Sequence, residues 1–196
     1  MSTRPTVPLA TMGTIGLITA LAVSACADAA TLSRLSISRD HDTYEISFDA
    51  VVNASAPQVY QVLSDFVLLT KLSPAIVSVR VEHPADGGLE RVHSVLKGCF
   101  LFFCKEAVEV DEVTESSPST IAARIVPGEG DFKNGSYIWR IQAAGERTLL
   151  HYHATRTPAF WVPPLIGPWI IERTIRKHVQ TSAERLETLA AGATAH

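Results

Sequence analysis

The strongest constraint on the fold is an asymmetry along the chain. From Ile76 to Thr157 short strand-like runs succeed one another with turn chemistry between them, and then a single long helical pattern, Trp169 to Ala190, follows. At about 1.5 Å per residue that helix is roughly 30 Å long, enough to cross a whole domain. Ile171, Ile175, Val179, Ser182, Leu186 and Leu189 fall on one side of it. Charged Glu172, Arg173, Arg176, Lys177, Glu184, Arg185 and Glu187 take up much of the remainder. The stripe needs an apolar surface to lie on. A curved sheet wrapped around the helix provides one, and such a wrap can leave a hollow beside it.

The residues before Ile76 complete the order of elements. Tyr44 to Val52 alternates, with Tyr44, Ile46, Phe48 and Ala50 on one face and Glu45, Ser47 and Asp49 on the other, the period of a half-buried strand. Ser55-Ala56-Pro57-Gln58 is a capping box with proline in the first turn. Val59, Val62, Leu63 and Phe66 then continue at helical spacing, and Leu68, Leu69 and Leu72 predict a second short helix ended by Pro74. Later strands are predicted at Ile76–Glu82, Leu89–Lys97, Lys105–Val113, Thr120–Val126, Ser136–Gln142 and Thr148–Arg156. The expected class is α+β: a curved antiparallel sheet of about seven strands around a long C-terminal helix, with two short helices after the first strand.

The chain has 196 residues, room for one ordinary domain and a leader. Arg4 is the only charge before Asp28, and the apolar stretch Met12 to Ala25 is shorter than the roughly 20 residues a spanning helix needs. Residues 1–30 therefore read as an export leader, residues 31–43 as a polar spacer, residues 44–191 as the folded domain and residues 192–196 as a tail. Two processing readings stand side by side. Val23-Ser24-Ala25-Cys26 is similar to a bacterial lipobox, which makes Cys26 a lipidation candidate, and Ala27-Asp28-Ala29 fits ordinary signal peptidase. The expected location is periplasmic, free or lipid-anchored. In an oxidising compartment Cys99 and Cys104 are a disulfide candidate.

Val52-Asn53-Ala54-Ser55-Ala56-Pro57-Gln58-Val59-Tyr60-Gln61-Val62-Leu63-Ser64-Asp65-Phe66, the patch Gly130-Asp131-Phe132-Lys133 leading through Gly135 to Trp139, and the terminal helix together carry a family resemblance. The chain resembles the START-like or SRPBCC superfamily of helix-grip proteins, and within it the polyketide cyclase/dehydrase and coenzyme Q-binding-like branch. The resemblance runs from about Tyr44 to Leu189 and rests on packing and capping motifs, so it speaks to fold more than to chemistry. It implies an internal apolar cavity and a hydrophobic partner: a lipid, quinone or isoprenoid-like molecule held by a carrier. The alternative it implies is a cyclase or dehydratase using the same cavity.

Cavity or portal candidates are Phe132, Trp139, Tyr152, Phe160, Trp161, Trp169, Ile175 and Val179. Phe160, Trp161 and Trp169 belong to an apolar, proline-rich segment that suits a portal flap, a membrane interface or a packed connection. Gly98 to Cys104 sets three phenylalanines and a leucine between two cysteines, and reads either as a hairpin tip able to touch a membrane or as a buried strand with free thiols. His151 and His153 are expected on the solvated face, because Leu150, Tyr152 and Ala154 form the apolar one. No carboxylate lies at a fixed spacing from either histidine. His93 has no assigned face. Arg124 and Arg140 are expected at the surface, and Asp65 is expected to bond nearby backbone. Catalytic residues are unassigned. No Ser-His-Asp or Cys-His set, zinc-type spacing or phosphate loop is present in the sequence, and no cofactor or metal is expected. The formal net charge of −3 gives no basic field for nucleic acid.

Overall fold

The computed structural model describes residues 30–85, 87–100, 103–162 and 168–192. The leader with Cys26, the pair Leu101–Phe102 and the segment 163–167 lie outside the described residues, as do residues 193–196 of the expected tail and the side chain of Trp169. In chain order the elements are β1 (Thr31–Asp40), β2 (Thr43–Val52), α1 (Ala56–Ser64), a 3₁₀ turn (Phe66–Leu68), α2 (Leu69–Leu72), β3 (Ile76–Glu82), β4 (Arg91–Phe100), β5 (Phe103–Ser117), β6 (Thr120–Ile125), β7 (Phe132–Ala144), β8 (Arg147–Pro158) and α3 (Pro168–Gly192). All eight strands form one antiparallel sheet in the order β1-β2-β8-β7-β6-β5-β4-β3. The helix-grip expectation holds, with eight strands in place of about seven.

The additional strand is β1, which corrects the reading of residues 31–43 as a spacer. A β-bulge between Leu32 and Arg34 breaks its alternation. Leu32 and Leu35, three residues apart, both pack on the cluster of Phe48, Ala50 and Val179. Being an edge strand, β1 is mostly exposed and polar, so its composition mimics a linker.

The capping box forms as its spacing predicts. The Gln58 Oε1 accepts from the Ser55 N–H (2.9 Å) and the Ser55 hydroxyl (2.6 Å). Gln58 also donates through Nε2 to the Ala190 carbonyl (3.3 Å), which ties the start of α1 to the end of α3. Asp65 accepts from the Val67 N–H at 3.2 Å, the backbone-bonding role expected of it. Val59, Val62, Leu63 and Phe66 form the main core with Val52, Ile121, Ile141 and Leu186. The C-terminal half of α3 is also fixed by polar groups. Glu187 accepts from the N–H groups of Ala30 (3.1 Å) and Asn53 (2.7 Å), and Arg185 donates to the Lys71 carbonyl (3.2 Å).

The β4–β5 pairing runs out to Cys99↔Cys104 and Phe100↔Phe103, so the hairpin is the arrangement this segment adopts. The two cysteines are joined, with their Cα atoms 4.0 Å apart. Both are exposed, unlike the free core thiols of the other reading. Among the described residues no helix is long and apolar enough to cross a membrane.

Candidate functional site

Register places the inward side chains of three adjacent strands in rows. Phe48, Tyr152 and Trp139 lie side by side across β2, β8 and β7, and Ile46, Ala154 and Tyr137 make the next row. The aromatic row packs edge-on and tilted: Trp139 to Tyr152 is 4.3 Å between ring centroids, Phe48 to Tyr152 is 5.0 Å and Phe48 to Trp139 is 5.6 Å. Such pairs add roughly 0.5–1.5 kcal/mol each beyond their burial. Between these rows, α1–α2 and α3 lies a cavity of about 380 Å³. Its walls are mostly apolar, with Leu63, Phe66, Leu69 and Leu72 from the helices and Ile175 and Val179 from α3. That volume falls in the range of small-molecule sites.

One wall differs. The next inward position on β8 after Ala154 is Arg156, and its neighbour on β7 is Gly135. On the far side, β6 stops at Ile125, opposite Asp111, and Pro127 follows two residues on. Past that end, no strand separates β7 from β5, and the Arg156 side chain reaches Glu109. Its Nε donates to Glu109 Oε2 at 2.6 Å and its Nη2 to Oε1 at 3.0 Å, while Nη1 donates to the carbonyls of Ser136 and Thr155, both at 2.9 Å. The pair is nearly dry, with side-chain exposures of 14% for Arg156 and 6% for Glu109. Gly135 is required by this packing, since a Cβ there would lie 2.7 Å from the Ile125 Cδ1 and press on the Thr155 carbonyl.

Asp111 sits one inward position further along β5, buried and lining the same cavity. Burial, reinforced by the adjacent Glu109 carboxylate against the opposing pull of Arg156, pushes its pKa from 3.8 up to about 8. Asp111 is therefore a neutral acid at pH 7 that shares a hydrogen bond with Glu109. Its Oδ1 has no hydrogen-bond partner within the protein. Burial also raises Tyr152 to about 12 and lifts Tyr137 well above the usual phenol value, so both remain protonated phenols. Burial would weaken the Arg156 charge, but Glu109 outweighs it and the guanidinium pKa is raised. Across the cavity, burial and then Lys177 lower His178, which favours its neutral form.

Five of the cavity candidates, Phe132, Trp139, Tyr152, Ile175 and Val179, line this cavity. Phe160 and Trp161 instead border a second hollow of about 310 Å³ with Arg39, Asp42, Tyr44 and Lys133, where Trp161 is 77% exposed. Phe132 and Phe160 are in edge contact, 6.1 Å between centroids. His151 and His153 are half-buried on the outer face as expected, but both have carboxylates near them, supplied across the sheet by β2. His151 Nδ1 is 2.6 Å from Asp49 Oδ1, and His153 Nδ1 is 3.7 Å from Glu45 Oε1. His93 faces outward to Glu82 at 3.1 Å. Arg124 pairs with Glu112 at the surface, and Arg140 is exposed. Glu129 pairs with Arg91 (3.1 Å), and Asp131 accepts from the Val108 N–H (2.7 Å), so the loop acids are fixed structurally.

The polar wall itself is absent from the sequence candidates. In Val108-Glu109-Val110-Asp111 strict alternation assigns the acids to solvent, whereas Glu109, Val110 and Asp111 are all buried. The pairing with Arg156 crosses 47 positions of sequence and depends on where β6 ends. No local pattern encodes it.

Residues 43–191 match the sequence profile of a family described as polyketide cyclase/dehydrase and lipid transport. No curated protein matches the chain in sequence. Solved structures match its fold at low identity. A START superfamily protein from Mycobacterium smegmatis has a TM-score of 0.58 at 20% identity, over 76% of this chain and 98% of its own. A conserved protein from Geobacillus kaustophilus has 0.59 at 14%, over 76% and 96%. The Zhui aromatase/cyclase from Streptomyces sp. R1128 has 0.50 at 15%, over 77% and 93%.

Proposed function

Because the chain belongs to the polyketide cyclase/dehydrase and lipid transport family of START-like proteins, we propose that it is a carrier that holds one hydrophobic small molecule between its sheet and α3. The supporting observation is the cavity of about 380 Å³, lined mostly by apolar side chains from the sheet, α1–α2 and α3. A ligand covering about 250 Å² of apolar surface there gains on the order of 6 kcal/mol from leaving water, before the cost of immobilising it. Native mass spectrometry of protein purified from its own cell envelope, with organic extraction, is the direct test. A stoichiometric lipid, quinone or similar molecule supports the carrier. Bare protein that also fails to bind an apolar fluorophore refutes it.

A second reading, a cyclase or dehydratase, is favoured by one observation: a neutral carboxylic acid, Asp111, beside a buried Arg156–Glu109 pair in the cavity wall. Such an acid can protonate a leaving hydroxyl at neutral pH. Turnover of the extracted ligand, lost in Asp111→Asn with binding retained, would establish that reading in place of the carrier.

The carrier is proposed to work outside the cytoplasm. Support comes from the leader-like composition of residues 1–30 and from the Cys99–Cys104 bond, which suits an oxidising compartment. The mass of the mature N-terminus distinguishes acylated Cys26 from cleavage beyond Ala29, and an intact Met1 would refute processing.

A further inference from the structure

If the cavity holds an apolar molecule, as proposed above, the hollow beside it bears on the other end of that molecule. The hollow of about 310 Å³ lies on the same face of the sheet, one row further out. Its Tyr44 has the strand parity of Ile46 and Phe48, which line the cavity. Tyr44 and Arg156 are direct partners across β2 and β8, and Phe132 and Pro158 are partners across β7 and β8. In each pair one residue lines the cavity, Arg156 or Phe132, and the other lines the outer hollow. The boundary is thus one side chain thick, closed by the edge contact of Phe132 with Phe160. Phe160 lies past the end of β8, so its ring can turn aside without breaking the sheet. From Tyr152 to Pro158 the two spaces follow β8 for about 20 Å.

The two spaces differ in charge. In the cavity wall the Arg156 guanidinium is balanced by Glu109 in a nearly dry bidentate pair, which leaves no cation for an anion to meet. The outer hollow has Arg39 and Lys133, and both are within reach of a solute, with side-chain exposures of 30% and 55%. Arg39 is held in place, since its Nε donates to the His41 carbonyl at 2.8 Å and its guanidinium lies 5.1 Å from the Tyr44 ring centroid. Asp42 lies 3.8 Å from Arg39 Nη2 and 4.0 Å from Lys133 Nζ. Both separations exceed the roughly 2.7–2.9 Å of a charge-assisted hydrogen bond. One carboxylate therefore faces two cations and bonds closely to neither, so positive charge is in excess. Lys105 Nζ adds a third cation at this end, 4.4 Å from the Phe160 ring centroid.

We infer that the ligand is a single-chain amphiphile with an anionic head group: its hydrocarbon chain fills the cavity, and its head lies in the outer hollow between Arg39 and Lys133. A head placed there keeps part of its water, so the pairing escapes the full desolvation cost that the inner wall would impose.

The probes are laurate, dodecanol and dodecyltrimethylammonium, which carry a negative, a neutral and a positive head on the same chain length. Each is titrated below its micelle concentration, at low ionic strength, against the mature protein loaded with an uncharged apolar fluorophore. Laurate is expected to bind most tightly and dodecyltrimethylammonium most weakly, about tenfold apart. The gap narrows as salt is added. Lys133→Gln lowers the affinity for laurate about three- to fivefold without changing that for dodecanol, and Lys133→Glu closes the gap between the charged probes. Lys133 is an exposed side chain, and an unchanged affinity for the fluorophore reports an intact cavity in both variants. Arg147→Glu makes the same charge change at the other end of β8 and leaves the gap as it stands. Laurate binding no tighter than dodecyltrimethylammonium, or a gap unaffected by Lys133→Glu, overturns the inference while leaving the apolar cavity standing. A gap that closes equally in Arg147→Glu also overturns it, because net charge and not the hollow then sets the order. Failure of all three probes and of the fluorophore to bind overturns both the inference and the carrier.

Discussion

Replacing Arg156 by methionine tests whether the polar wall holds together as one unit. The substitution removes two hydrogen bonds to Glu109 and two to backbone carbonyls, and it leaves a carboxylate of 6% side-chain exposure without its cation beside the acid Asp111. Breaking one side of a buried pair costs about 3–5 kcal/mol, mostly the penalty of the stranded charge. Against a total stability of about 5–15 kcal/mol this is a large fraction but a survivable one. For a domain of this size it corresponds to a fall in Tm of about 6–20 °C. Glu109→Gln, which strands the guanidinium instead, is expected to cost a similar amount. The double variant removes both charges, so it should cost little more than either single change, a coupling on the order of 3 kcal/mol. Urea unfolding of the four proteins, fitted with a common slope, supplies the cycle. Additivity of the two single costs within about 0.5 kcal/mol would show that the charges are independently solvated, and the dry pair described above would be wrong.

Three other outcomes follow from particular residues. Asp111 is protonated in the folded protein up to about pH 8 but ionises near 3.8 when unfolded, so between these values unfolding releases a proton. Stability attributable to this group is then full below pH 4, falls by at most about 1.4 kcal/mol per unit as pH rises, and levels off above 8. Denaturant titrations at pH 5 and pH 8 should show that fall, and Asp111→Asn should flatten it; a slope of opposite sign would refute the neutral acid. Gly135→Ala forces a methyl against the Ile125 side chain and the Thr155 carbonyl, and is expected to cost about 1–3 kcal/mol by overpacking, measured as a lower denaturation midpoint. Ser55→Ala removes one side of the capping box and should cost about 1 kcal/mol with no change in probe affinity, since Ser55 does not line the cavity.

Legibility in the sequence followed the range of the interactions. Ser55 with Gln58, Asp65 with Val67, and the alternation of Tyr44 to Val52 each depend on partners within a few residues or on the pleat alone, and each is seen in the structure. Phe132, Trp139 and Tyr152 were recognisable because their size and strand face oppose exposure, and register then gathers them. The failures have the opposite character. The bulge near Ser33 hides the apolar period of β1, and an edge strand has little of that period to begin with. Glu109, Asp111 and Arg156 look like solvent-facing charges in every local window. Only the early end of β6 brings β5 and β8 within reach of one another. His151 and His153 lacked visible carboxylates for the same reason, because theirs come from β2, about a hundred residues away in the chain.

The fastening of α3 has a mechanical consequence. Glu187, Arg185 and the Gln58–Ala190 contact clamp the helix toward its C-terminal end, whereas Ile175 and Val179, which border the cavity, are seated against apolar rings and leucines. Apolar seating resists withdrawal but tolerates sliding and tilt, while short hydrogen bonds do not. The helix is thus a lever with its fulcrum near Glu187. Ile175 lies about 18 Å along it, so a tilt of about 10° carries that residue about 3 Å while scarcely disturbing the clamp. A displacement of that size is comparable to the thickness of an aromatic ring. Such a tilt would change the width of the cavity at the Ile175 end while leaving the hydrogen bonds of Glu187 in place.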